Sequence, residues 1–501
     1  MAYPTFPRLP HPNIDRNHFR KEQPQPQDII SFQEARTKLP IPVIPDFPEW
    51  EEMYWRAWEI AWRHLRHPRP GSGFVASFID SAFNENTFMW DSAFMSQFGI
   101  YGRRAFDFLG TLENFYSRQH DDGYICREIN MTDGHDFFHP FDPNGTGPNV
   151  LAWAEWRAFR HTKDEERLSR VFWPLLALHD WFRAHRTWPS GLYWASGLSS
   201  GMDNQPRAAA SRFHHCHLTW VDANMQAALN CGILAQMAQL LEEPSLAEML
   251  NQERSFLHRE INARMWNDDT AFYHDLDSSG KPTSLKTIGA YWGLLDKDLV
   301  PPDRLESFIR QLRDQKTFNR PHRIPSIAAE SEGYDSETGN YWCGGVWSPT
   351  NYMVLKGLRN ANQNRLAHQI VMNHLQTVAT VFRHTDTFWE NYAPEGAMPG
   401  DPAKPDFVGW TGVSAITMLL EDVIGISVDW PLRRVTWDRR LDANGSYGVR
   451  NFPLGPDGVL DILGDGQAIE IVTDTPFNLT VRHEESTIQT SVPAGASTVA
   501  L

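Results

Sequence analysis

Two short acidic motifs hold the most reactive chemistry in this chain. Ser199-Ser200-Gly201-Met202-Asp203-Asn204 and Phe388-Trp389-Glu390-Asn391-Tyr392 each set one carboxylate among Gly, Asn or aromatic residues, far apart in sequence. Breaking a glycosidic bond requires two carboxyl groups on opposite sides of a sugar ring, one acting as acid and one as base. Aromatic faces cover the apolar faces of sugars, while Asn, Asp and Arg hydrogen-bond the hydroxyls. Asp203 and Glu390 are therefore the candidate catalytic pair. Alone, an Asp in a Gly/Ser loop also caps helices or closes turns, and a Glu past a helix end also sits in solvent. Trp188, Tyr193 and Trp194 upstream of Asp203, and Trp389 and Tyr392 around Glu390, favour a cleft. Glu395 is the rival to Glu390.

Two more motifs fit a sugar subsite. In Phe88-Met89-Trp90-Asp91-Ser92-Ala93-Phe94, Asp91 reads either as a helix N-cap or as a partner for sugar hydroxyls. Tyr341-Trp342-Cys343-Gly344-Gly345-Val346-Trp347-Ser348-Pro349 reads as tight backbone flanked by aromatics. The candidate substrate-binding set is Trp90, Asp91, Arg127, Asn204, Trp342, Trp347, Trp389 and Trp410. Arg127 reads equally as an ion-pair partner near Glu128.

Other constellations are weaker. Arg212-Phe213-His214-His215-Cys216-His217 resembles a metal site on paper, but adjacent residues on one segment cannot all face one ion. Asp142-Pro143-Asn144-Gly145-Thr146-Gly147 has oxygen donors but lacks the full calcium loop and its bidentate Glu, so it reads as a turn; Asp121-Asp122 reads as a turn as well. Phosphate loops of the GxGxxG or GxxxxGK type are absent. Neither a metal nor a cofactor is expected.

The elements that position these residues follow from pattern. With 501 residues, 41% hydrophobic and 22% charged, the chain has the make-up of a soluble globular protein. Its 20 Trp fit both a large helical core and a carbohydrate cleft. Net charge −16 argues against nucleic acid as partner. The four cysteines form no CxxC pair and read as free thiols of a reducing compartment. The start has no apolar signal core and no run of about 18 apolar residues exists, so a cytoplasmic protein without membrane contact is expected.

Residues 1–48 hold ten of the 34 prolines and read as extended chain wrapped over the body. Residues 49–425 read as about a dozen helices, among them Phe94–Leu109, Thr287–Leu295 and Gly409–Ile424, joined alternately by short and long loops. That alternation suits a toroid of paired helices with the long loops on one face. Residues 426–501 show short alternating apolar runs split by Gly/Asn/Asp turns and read as a small antiparallel β region.

Taken together and in order, the four motifs resemble clan G glycoside hydrolases, which join the family 37 trehalases with family 63. Trp90-Asp91-Ser92 matches the early Trp-Asp-Ser/Thr motif. Gly201-Met202-Asp203-Asn204 matches the motif of the catalytic acid. Tyr341-Trp342-Cys343-Gly344-Gly345-Val346-Trp347 matches Tyr-Trp-x-Gly-x-x-Trp, and Glu390-Asn391-Tyr392 with Trp410 matches the motif of the base. The resemblance covers roughly residues 80–425. It implies an (α/α)6 barrel and an inverting α-glycosidase, with Asp203 as general acid and Glu390 as a base that stays ionised. Cys343 and Gly345 stand where family 63 often carries Arg and Pro, and the trailing β region is unlike a minimal family 63 enzyme, so the sugar stays unnamed. The rival readings are a sugar epimerase on the same toroid, using His139, His214 or His217, and a sugar-binding protein without turnover. A homodimer through the helical face or the β region stays open.

Overall fold

The computed structural model describes residues 9–207, 218–483 and 486–501. The His214–His217 run lies outside the described residues, as does Cys216. Helix is the commonest regular structure in the described chain. The Pro48–Arg63 helix starts on a proline with Glu49 and Glu51 in its first turn, where the missing N–H costs nothing and acids suit the dipole. Trp50, Tyr54, Ala57, Trp58 and Ala61 form its buried stripe. The helices Leu151–Thr162, Glu165–His185, Val221–Leu240, Pro244–Arg264, Pro302–Arg310, Ser348–Asn360 and Asn364–Thr385 fall within a few residues of the ranges expected from periodicity, Val150–Arg160, Glu165–Ala184, Trp220–Leu241, Ser245–Met265, Pro302–Arg313, Trp347–Leu358 and Asn362–Phe382.

Three expected helices differ. The first runs Met89–Gly102, not Phe94–Leu109, and a separate helix, Gly110–Ser117, follows it. Gly102 sits against Phe108 and Trp58, so the chain turns there to pack the aromatic cluster. The second, Ile288–Leu294, winds as a 3-10 helix. Its two glycines weaken an α-helix, and Gly289 lies where a Cβ would come within 2.9 Å of Met202. The third, Val413–Ile424, is a fully buried π-helix, and nothing in its residue pattern marks the wider winding.

Gly425, at φ +95°, ends the π-helix and the first C-terminal strand begins at Ile426. Two sheets follow. The four-stranded sheet has the order Ser486–Val492, Phe477–His483, Arg434–Arg439, Ile426–Asp429. Its central pair, Phe477–His483 with Arg434–Arg439, is parallel, which corrects the all-antiparallel expectation. The intervening strands Tyr447–Leu454, Gly458–Gly464 and Ala468–Thr473 belong to the other sheet, so the chain crosses over before it returns.

The five-stranded sheet runs Ile41–Val43, Tyr447–Leu454, Gly458–Gly464, Ala468–Thr473, Gly495–Ala500, with every pair antiparallel. Its first strand comes from the Pro-rich segment. Pro42 is tolerated there because an edge strand leaves one row of N–H groups unpaired. Tyr54 donates to the Pro40 carbonyl and Trp62 to that of Ile30. The segment thus links the helical body to the β region. Among the described residues no helix is long and apolar enough to cross a membrane.

Candidate active site

Segments remote in the chain, all four motifs among them, converge on one cavity of about 220 Å³. Strand Asn86–Phe88 pairs with Glu128–Asn130, and the Met89 N–H bonds the Arg127 carbonyl at 2.8 Å. That short ladder sets Trp90 and Asp91, in the first turn of their helix, beside Arg127 and Glu128. The N-cap of the helix is Phe88, so Asp91 is not the cap and its carboxyl lines the cavity.

Asp203 follows the one-turn helix Gly197–Ser200, which Gly201 closes at φ +74°. A Cβ on Gly201 would lie 3.1 Å from the Trp90 indole, so only glycine lets the Asp203 loop pack on that ring. Asn204 then fastens the loop: its amide donates to the Asn340 carbonyl at 2.9 Å and its oxygen accepts the Trp342 N–H at 2.8 Å. Asp203 caps none of the helices among the described residues.

Glu390 lines the same cavity and is 2% exposed. Its backbone N–H bonds the Lys404 carbonyl, and Val346 and Tyr392 exchange N–H···O bonds of 2.8 and 3.0 Å. The glutamate motif is thereby zipped onto the Tyr341–Trp347 loop. The Tyr341 hydroxyl donates to Glu390 Oε1 at 2.8 Å, and the Lys404 N–H to Oε2 at 3.2 Å. Tyr341 holds a left-handed φ of +65°, an uncommon conformation for a bulky residue. The Trp347 indole N–H bonds its carbonyl at 3.2 Å.

Five of the eight expected binding residues line this cavity: Trp90, Asp91, Arg127, Trp342 and Trp410. Asn204 lines an adjoining space that shares Asp203, Tyr341 and Glu390. Two lie elsewhere. Trp347 is fully buried behind the wall, stacked on Trp342 at 3.8 Å with the rings 1° from parallel. Trp389 is turned away, and its indole bonds Thr385. Trp347 stands five residues from Trp342 and Trp389 stands next to Glu390; loop neighbours need not share a face, so aromatic type alone could not sort them. Glu395 is tied to Arg320 at 2.7 and 2.8 Å and to the Tyr334 hydroxyl, which removes it as a rival. His139 is not among the lining residues.

Sequence reasoning missed Tyr341 as a site residue, together with Glu128, Phe83, Phe137 and Phe138, all of which line the cavity. Tyr341 stood inside a motif already singled out, so its phenol was a legible signal. Glu128 is held by the Asn86 amide at 2.7 Å and faces Arg127 at 3.8 Å. Arg127 therefore makes its expected ion pair and also faces the cavity.

Burial dominates the electrostatics. It pushes Asp203 up to about 6, with Arg127 pulling down and Glu128 pushing up. It pushes Glu390 up to about 7 against the bonds from Tyr341 and Lys404. Burial thus opposes the ionised Glu390 expected of a base, while the bonds from Tyr341 and Lys404 favour it. Burial and the charges of Glu390 and Asp203 lift Asp91 well above the usual carboxylate range. All three carboxyls are therefore harder to ionise than free ones, the direction that burial imposes. Such a site can supply a proton and accept one.

The profile of the mannosylglycerate hydrolase MGH1-like glycoside hydrolase domain matches residues 85–411, which include all four motifs. An uncharacterised protein of Borreliella burgdorferi is 25% identical over 356 residues, 68% of this chain and 73% of its own. A probable mannosyl-oligosaccharide glucosidase of Schizosaccharomyces pombe is 28% identical over 281 residues, 49% of this chain, and the match spans only 34% of the yeast protein. The structure of a GH63 mannosylglycerate hydrolase from Thermus thermophilus, in complex with glucose, superposes with a TM-score of 0.59 over 73% of this chain and 99% of that one, at 18% identity.

Proposed function

The chain belongs to the MGH1-like glycoside hydrolase family, and from that membership we propose that it cleaves an α-glycosidic bond of a small glycoside with inversion, Asp203 acting as general acid and Glu390 as general base. The protein is a glycoside hydrolase; the linkage, stereochemistry and residue roles are the proposal. One observation carries it: carboxyls from two remote motifs share a buried cavity walled by Trp90, Tyr341, Trp342 and Trp410.

In this reading Asp203 protonates the leaving oxygen while Glu390 draws a proton from water on the opposite face of the ring. Inversion leaves room for that water, with carboxyls roughly 6.5–9.5 Å apart. Burial lifts Glu390 above Asp203, but the directional hydrogen bonds favour the opposite order. Tyr341 and the Lys404 N–H stabilise the Glu390 anion, whereas no described side chain donates to Asp203. A bound sugar desolvates both groups, so the hydrogen bonds set the roles. Asp91 and Arg127 are the proposed partners for sugar hydroxyls, with Trp90, Trp342 and Trp410 as apolar walls. The proposal extends to the scaffold: residues 49–425 as an (α/α)6 barrel, 426–501 as a β unit, and 1–48 as an extended segment joining them.

The test is a panel of α-linked disaccharides, mannosylglycerate, glucosylglycerate and aryl α-glycosides, with Asp203→Asn and Glu390→Gln alongside. Each variant is expected to lose about 10²–10⁴ in kcat. Turnover surviving either change, or a first-formed anomer of retained configuration by proton NMR, sinks the assignment.

A further inference from the structure

A second gathering of reactive side chains lies among residues that do not line the cavity. His179 on the Glu165–His185 helix, Cys231 on Val221–Leu240 and Glu253 on Pro244–Arg264 each offer one donor atom, and no two of these atoms are more than 4.8 Å apart. His179 and Cys231 are fully buried, while the Glu253 side chain is 13% exposed. Cys231 Sγ lies 3.6 Å from His179 Nε2, and the same nitrogen lies 3.3 Å from Glu253 Oε2. One ring nitrogen carries one hydrogen or one lone pair, so it cannot fully serve both thiol and carboxylate.

A tetrahedral zinc ion, with Zn–S about 2.3 Å and Zn–N and Zn–O about 2.0–2.1 Å, spaces its donors about 3.3–3.6 Å apart. Two of the three edges here already have that length. We propose that His179, Cys231 and Glu253 form a zinc site that ties three helices together. Thiolate with imidazole is a donor set that favours zinc over magnesium or calcium. The Tyr193 hydroxyl donates to Glu253 Oε1 at 2.7 Å, leaving Oε2 toward His179, the outer support that metal-binding carboxylates use. Thiolate and carboxylate together neutralise the dication. Arg183 approaches Oε2 at 3.5 Å and is 41% exposed, with solvent open to it. Three protein donors leave a fourth position for water. Binding displaces the Cys231 proton to solvent, and the ion takes the place of that proton on sulfur.

The site also reaches the Asp203 loop. Asn224 bonds both the N–H and the carbonyl of Tyr193 at 2.9 Å, so the ion braces the chain where the loop leaves the helices.

The test uses the full-length protein, stripped with a chelator, dialysed and titrated with zinc chloride or cobalt chloride. One zinc per chain, a Tm that rises with free zinc and a thiolate-to-cobalt charge-transfer band are expected. Tyr193→Phe is expected to bind zinc about 10–100-fold more weakly, and Cys231→Ala to lose the stoichiometric ion. Since Cys231→Ala alters helix packing too, the wild-type titration decides by itself. No zinc uptake and no Tm response overturn the proposal and leave the triad as a hydrogen-bonded bolt. Zinc retained by Cys231→Ala but lost on replacing His214, His215 and His217 overturns it as well, moving the ion to that segment. No readout involves a glycoside, so this proposal and the enzymatic one fail separately.

Discussion

At the scale of residues, the site is governed by how little water reaches its carboxyls. Glu390 relies on Tyr341 for its side-chain donor among the described residues. A hydrogen bond to a charged group contributes about 1.5–3 kcal/mol, and about 1.4 kcal/mol is one pKa unit. Tyr341→Phe should therefore raise the Glu390 pKa by about one to two units. In the proposed mechanism Glu390 is the base and must be ionised, so the acidic limb of the kcat profile should move to higher pH by that amount. An unmoved limb, followed in pH–rate profiles of both proteins, would remove Tyr341 from this role. The same burial predicts a stability effect. The folded pKa of Glu390, about 7, lies above the unfolded value of about 4.3. Between those values the folded state holds more protons, so this group's contribution is full below about pH 4 and is lost as pH rises toward 7. Glu390→Gln removes the penalty, and its Tm should gain on wild type from pH 5 to pH 8; parallel Tm curves would refute the claim.

Among the elements, the π-helix Val413–Ile424 is the most consequential. Glu421, 4% exposed, takes Arg157 at 2.9 Å, Lys356 at 2.7 Å and the Tyr101 hydroxyl at 2.5 Å. Burial works against its charge, but Arg157 and Lys356 overcome it and hold the carboxyl well below the usual range. Asp422 on the same helix takes Lys356 and Arg359, and Arg359 continues to Asp438 in the β region. Breaking a buried pair leaves an uncompensated charge and costs about 3–5 kcal/mol. Glu421→Gln should lose that much in chemical denaturation while leaving KM nearly unchanged, since Glu421 does not line the cavity of Asp203 and Glu390. A loss below about 1 kcal/mol would put it with ordinary surface pairs.

At the scale of the molecule, the N-terminal segment contributes an edge strand and buried anchors to structure formed hundreds of residues later. Ile41, Pro42 and Val43 pair with Arg450, Val449 and Gly448. The Asn451 amide bonds the Leu39 carbonyl, and Phe19, Leu39 and Ile44 are each at most 1% exposed. Each such side chain is worth about 1.5–3 kcal/mol, so deleting residues 1–44 should lower stability by several kcal/mol and bare a sheet edge prone to pairing. Unchanged Tm and a monodisperse truncated protein would show the segment to be dispensable.

Much of this was legible in the sequence. Period-3.6 stripes gave most helix positions because each helix buries one face, and period-2 runs marked the β region for the matching reason. The two carboxylates stood out because motif chemistry is local: Gly201 must precede Asp203 for the loop to pass Trp90, and Tyr392 must follow Glu390 to pair with Val346. Distance was not legible. Which Trp lines the cavity and which backs the wall, the donor from Tyr341, the removal of Glu395 by Arg320, the parallel strand pair and the meeting of His179, Cys231 and Glu253 all depend on contacts between residues remote in the chain. Sequence determined which groups could act, because side-chain chemistry and local backbone preference belong to each residue. Tertiary structure decided which of them act together, because burial, hydrogen-bond partners and shared charge exist only once distant segments are packed.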